Sequence, residues 1–149
     1  MPGSTNEEHE ILLMRWFEEL WNKKNYDIVQ KLASQEYVDH GDGSRDGRKG
    51  PEVALETVRT WHAAFPDGRM SIEEIYTEGE KSVVRTTFRG SQNGDFYGIA
   101  PSEKKVAVSS VGIMRVLDGK LVESWGDLNT IGVMQQIGAL PKPGYKEEN

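Results

Sequence analysis

The chain has 149 residues, of which 36% are apolar (AVILMFWYC) and 28% charged, with a formal net charge of −6. This size and balance fit one globular domain, 1–149, with a real core, and exclude a disordered chain. The 18 Lys and Arg are scattered rather than striped, which argues against a nucleic-acid partner, and no apolar run nears the roughly 20 residues of a bilayer span.

The acidic N-terminus MPGSTNEEHE does not read as a signal peptide, and residues 1–6 and 142–149 read as flexible tails. The absence of cysteine excludes disulfides and thiolate chemistry and suits a cytoplasmic protein. Three histidines, without HExxH or a close-set ligand pair, predict no metal site.

From Glu7 to Asn22, Leu13, Trp16, Phe17, Leu20 and Trp21 recur at helical spacing, which predicts an amphipathic helix. A shorter helix follows with Ile28, Val29 and Leu32 as its buried side. Tyr37-Val38-Asp39-His40 then precedes a Gly-rich charged loop, HGDGSRDGRKGP. Pro51 sits where a helix starts, and Leu55, Val58, Trp61, His62 and Phe65 give that helix one apolar stripe. It stops at Phe65-Pro66-Asp67-Gly68.

The second half is strand-like. Met70–Tyr76, Ser82–Phe88, Asp95–Ile99, Val106–Leu117 and Leu121–Leu128 are short runs separated by turn residues, among them Glu78-Gly79 and Asp118-Gly119. Thr130–Ile137 reads as a terminal helix closed by Gly138. Helices first and antiparallel strands after predict an α+β domain, a cone-shaped barrel with three N-terminal helices on a strongly curved, mainly antiparallel sheet. Such a cone encloses a pocket for a small, largely apolar molecule.

Polar groups among the apolar positions carry the functional reading. His62 lies on the apolar stripe of its helix, where a core histidine bonded to backbone is the plain alternative. His40 ends the run Tyr37-Val38-Asp39-His40 just before the loop, and Arg85 sits mid-strand between Val83 and Thr87. Trp125, Asp127 and Asn129 stand two residues apart, so an unbroken strand would place all three on one wall. Trp16, Trp21 and Phe65 read as plain core, and His9 as part of the tail.

The order of elements resembles the SnoaL-like polyketide cyclases, also called ester cyclases, of the nuclear-transport-factor-2-like superfamily. The matching fragments are Tyr37-Val38-Asp39-His40, Ala64-Phe65-Pro66-Asp67, Gly94-Asp95-Phe96-Tyr97-Gly98-Ile99, the run from Met114 to Glu123, Trp125, and Gln135-Gln136-Ile137-Gly138. The resemblance implies a cofactor-free enzyme in which an aspartate removes a proton beside a carbonyl and an aldol-type ring closure follows. Two positions depart from the pattern. Asn129 stands where the family has its aspartate, and Gly90-Ser91-Gln92 where it has Gly-Thr-His.

The expected site therefore has Asp127 or His62 as base, His40 as an alternative proton carrier, and Asn129 and Arg85 as donors to the developing oxyanion. Tyr37, Trp61, Phe88, Gln92, Tyr97, Met114 and Trp125 are the expected substrate contacts. The competing readings are a non-catalytic binding protein, favoured by the two neutral amides, and a limonene-type epoxide hydrolase, for which Arg85 and Asp127 supply half the arrangement. A homodimer or higher homo-oligomer is expected through the exposed sheet face near Val106, Val108 and Ile113.

Overall fold

A computed structural model describes residues 5–41, 46–126, 128–142 and 144. Helix α1 (Asn6–Arg15) opens with a reciprocal cap. The Thr5 hydroxyl accepts from the Glu8 N–H (3.1 Å), while the Glu8 carboxylate accepts from the Thr5 N–H (2.8 Å). The helix thus begins inside the stretch read as tail, and His9, only 3% exposed, belongs to the core side of α1.

The predicted helix does not stay α-helical. Trp16–Asn22 continues as a π-helix, in which the Lys23 N–H reaches back five residues to the Glu18 carbonyl (2.9 Å). The wider turn brings Trp16 and Trp21, five apart, towards the same side. Helix α2 (Ile28–Leu32) buries Ile28, Val29 and Leu32, as its pattern predicts. Helix α3 (Pro51–Ala64) has Pro51 as its first residue and buries Val58, Trp61 and His62.

Five strands form one sheet in the order β1-β5-β4-β3-β2. They are β1 (Ala33–Asp39), β2 (Arg69–Glu78), β3 (Lys81–Ser91), β4 (Lys105–Leu117) and β5 (Lys120–Trp125). Strand β1 lies parallel to β5, and the remaining pairs are antiparallel. Because β1 and β2 are edges that do not pair with each other, the strongly curved, mainly antiparallel sheet that the sequence predicts is curled and not closed. Helix α4 (Thr130–Gln136) packs against β4.

Three strand expectations change. Ala33–Asp39 is a strand that the sequence pattern did not announce. Asp95–Ile99 is instead a tight turn: Phe96 and Ile99 exchange both backbone hydrogen bonds (3.0 Å each) around Tyr97 and Gly98. Both tip residues have positive φ, 48° and 84°, the geometry of a type I′ turn. Strand β5 ends at Trp125, because Gly126 adopts φ 97° and leaves the ladder.

A bulge also shifts the parity of β5. Val116 pairs with Leu121, but the next pair is Arg115 with Glu123, so one extra residue is inserted. Ser124 consequently pairs with the inward Met114, and Trp125 with Ile113 on the outer side. Trp125 and Asn129 therefore do not share a strand wall. Asp127 lies outside the described residues.

The core is an aromatic stack with aliphatic flanks. Trp61, Phe65, Phe88 and Phe96 are each at most 1% exposed, and Trp61 meets Phe88 and Phe96 edge-on at 5.0 and 5.2 Å. Val106 and Val108 belong to this interior rather than to the outer face. Exposed apolar side chains of the outer face include Val83, Val111 and Ile113.

Candidate functional site

A cavity of about 150 Å³ lies between the π-helical turn, α3 and the concave face of the sheet. All four tryptophans of the chain contribute to it. Trp16 and Trp21 come from the π-helical turn and Trp61 from α3. Trp125 belongs to the rim, because its indole lies on the outer side, stacked on His40 (4.9 Å, 8°) with Lys81 Nζ 5.0 Å from its centroid. Val84, Thr86, Ser110 and Met114 line the sheet side, and Tyr97 stands at the mouth with half its surface exposed.

Two strands supply the polar end. Tyr37 and Asp39 are two apart on β1, so both point into the cavity, and the parallel register sets Asp39 beside Ser124 of β5. The Tyr37 hydroxyl and Ser124 Oγ are hydrogen-bonded at 2.6 Å. Burial, and next the Asp39 charge, push the Tyr37 phenol well above its ordinary pKa, against a lowering from Ser124. Tyr37 is therefore a neutral phenol throughout the pH range in which proteins work. Asp39 is half-buried, and its Oδ1 accepts from the Gly41 N–H (2.8 Å).

The other expected site residues divide cleanly. Tyr37, Trp61, Tyr97, Met114 and Trp125 line the cavity. Phe88 stands behind Trp61 and does not reach it. Gln92 is fully buried, donating to the carbonyls of Gly94, Ile99 and Ala100 and accepting from the Ser102 N–H (3.0 Å). It pins the loop that carries Tyr97 instead of meeting a ligand.

His62 is 6% exposed and also outside the lining. Its Nε2 donates to the Trp21 carbonyl (2.8 Å), which can only accept, so Nδ1 accepts from the Tyr26 hydroxyl (2.8 Å). Burial lowers its pKa, opposed by the Trp21 carbonyl, with Lys24 adding a smaller lowering. It is a neutral strut that fixes the π-helical turn.

Arg85 projects from the opposite face of β3, where its Nε meets Glu74 (3.0 Å). His40 also lies on the outer side, 2.7 Å from Glu123, whose carboxylate also takes the Arg115 guanidinium (2.9 Å from Nε). His40 and then Arg115 hold the Glu123 carboxyl below its usual range. Asn129 caps α4: its Oδ1 accepts from Gly132 N–H (2.9 Å), and Nδ2 donates to the Ser109 carbonyl (3.2 Å).

Sequence reasoning missed Asp39, Ser124, Trp16 and Trp21 as cavity residues. The signal for Asp39 was available, since it shares the parity of Tyr37 in Tyr37-Val38-Asp39-His40. Among the described residues no three His, Asp or Glu are grouped to hold a metal ion. No described helix is long and apolar enough to cross a membrane.

Comparison with solved structures finds the same fold. TsrD from Streptomyces laurentii superposes with a TM-score of 0.82 at 23% identity, covering 92% of this chain and 99% of that one. A protein from Jannaschia sp. CCS1, assigned as a SnoaL-like polyketide cyclase, gives 0.78 at 23% identity, covering 95% and 100%. AclR from Streptomyces galilaeus, assigned as a hydroxylase, gives 0.79 at 24% identity, covering 94% and 87%. No curated protein sequence matches the chain. A family profile described as SnoaL-like polyketide cyclase matches residues 11–137. The chain belongs to the SnoaL-like polyketide cyclase family.

Proposed function

We propose that the chain is a cofactor-independent enzyme of cyclase or isomerase type that enolises a small hydrophobic carbonyl compound. The observation that carries this is the hydrogen-bonded Tyr37–Ser124 couple beside Asp39 at the polar end of an indole-lined cavity. In this reading the Asp39 carboxylate takes a proton from the carbon next to the carbonyl. The electron pair moves onto the carbonyl oxygen, and the hydroxyl couple donates to the charge that develops there.

Returning the proton to another carbon gives isomerisation. Attack of the enolate carbon on a second carbonyl of the same molecule, with a proton going to the new alkoxide, gives aldol closure. The surrounding indoles make an apolar setting in which the donor interaction is stronger than in water. Lack of cysteine suits work in a reducing, cytoplasmic compartment. We also propose that two copies pair through Val83, Val111 and Ile113 on the outer face of the sheet.

The test is solvent-deuterium incorporation into a panel of aryl ketones and β-keto esters, followed by NMR. The expected result is exchange faster than in buffer, reduced about 10–100-fold by Tyr37→Phe or Ser124→Ala. Saturable binding without accelerated exchange across the panel would support the non-catalytic binding reading instead.

A further inference from the structure

Three features bear on what fits the cavity: its volume, the rigidity of its floor, and the number of donors at its polar end. The volume is about 150 Å³. Ligand sites for drug-sized molecules run from roughly 300 to 1,000 Å³, whereas an apolar cavity of about 150 Å³ accepts a single benzene ring. The space therefore matches one six-membered ring with a short substituent.

The floor has little room to yield. Trp61 lines the cavity and is backed by Phe88 and Phe96 in edge-to-face contacts at 5.0 and 5.2 Å, all three at most 1% exposed. Trp21 is backed in turn by His62 (5.7 Å) and Phe88 (6.4 Å). Interiors packed this closely resist expansion, so a second or third fused ring is directed outward through the mouth. There it meets Tyr97, whose φ of 48° fixes it in a tight turn pinned by Gln92.

The polar end counts hydrogens. Each hydroxyl carries one proton and accepts through its lone pairs. One proton of the Tyr37–Ser124 couple is spent inside the 2.6 Å bond, whichever atom donates. One proton remains, and no described residue accepts it. The couple thus offers a single donor, polarised by the bond behind it, and asks the ligand for one acceptor oxygen.

We infer that the cavity takes a single-ring carbonyl compound, ring against Trp16, Trp21 and Trp61 and carbonyl oxygen on the Tyr37–Ser124 couple, rather than a fused polycycle. This rests on the reading of the cavity as the substrate site, and the experiment separates the two claims.

Calorimetric titrations would compare acetophenone, ethylbenzene, acetonaphthone and acetylanthracene, with the four indole N–H signals in ¹⁵N spectra locating any binding. Acetophenone is expected to bind saturably and shift the indole signals, with ethylbenzene about tenfold weaker for want of the carbonyl. Ser124→Ala and Tyr37→Phe should each remove that preference while leaving ethylbenzene binding unchanged. Affinity should fall at least about tenfold by acetylanthracene. Thr57→Trp, placed on the half-exposed part of the lining where folding is least at risk, should abolish binding of every probe. Acetylanthracene binding as tightly as acetophenone, and lost in Thr57→Trp, would overturn the single-ring claim while upholding the cavity as the site. Binding of any probe that Thr57→Trp does not affect, or no binding at all, would overturn both.

Discussion

His62 shows how a buried polar side chain with a structural task is told apart from a catalytic one. With the Trp21 carbonyl on Nε2 and the Tyr26 hydroxyl on Nδ1, both ring nitrogens are occupied by the protein itself. Because burial lowers its pKa below the ordinary 6.5, the unfolded chain binds this proton more readily than the folded one. The stabilisation is therefore full above pH 6.5 and is lost as pH falls through the folded-state value. Denaturation followed between about pH 5 and 8 should show stability rising with pH, and His62→Gln should flatten that slope. Gln keeps one donor and one acceptor, so the variant should fold. An unchanged slope would contradict this role for His62. The depressed Glu123 carboxyl acts in a separate window, its contribution being lost only as pH falls below its ordinary 4.5.

The elements were legible where their signals are local. Pro51 marked the start of α3, Asp118-Gly119 marked the β4–β5 hairpin with both residues at positive φ, and Ile28, Val29 and Leu32 marked α2. Strand β1 was not legible because Ser34, Gln35 and Glu36 interrupt any alternation, and its pairing with β5 is made across the whole chain. Nor was the π-helical turn, since the spacing of Trp16, Phe17, Leu20 and Trp21 suits an α-helix equally well. That Trp125 and Asn129 do not share a wall has two causes that no periodicity contains. They are the bulge before Glu123 and the turn at Gly126.

Gly126 also makes a prediction at this scale. With φ 97° and an added Cβ only 2.7 Å from the Val111 carbonyl oxygen, Gly126→Ala meets both strain and a backbone clash. It should destabilise the fold by roughly 2–4 kcal/mol in chemical denaturation. A cost below about 0.5 kcal/mol would mean that the strand end is freely rearranged.

At the scale of the whole molecule, the curled sheet leaves one face for the cavity and one for solvent or a second copy. Val83, Val111 and Ile113 lie on adjacent strands of that outer face, each more than a third exposed. Light scattering should give twice the chain mass of 16.8 kDa, with Ile113→Asp reverting to the monomer. A monomeric wild type would contradict the pairing and leave the cavity untouched.

The α+β class and the family were legible in the sequence, because they depend on element order and on short fragments in fixed succession. The chemistry was less so. Asp39, Tyr37 and Ser124 meet only through the parallel β1–β5 register, and Asn129 reads in retrospect as the helix cap that an asparagine before Thr130 suggests.

The central claim is that Asp39 removes the proton. Deuterium exchange into the best-bound aryl ketone, measured with wild type, Asp39→Asn and Asp127→Asn side by side, tests it most directly. The account predicts that Asp39→Asn falls to the buffer rate, a loss of at least about 100-fold, with ligand affinity retained and Asp127→Asn still active. Full activity in Asp39→Asn, with loss in Asp127→Asn, would contradict it and move the base from Asp39 to Asp127.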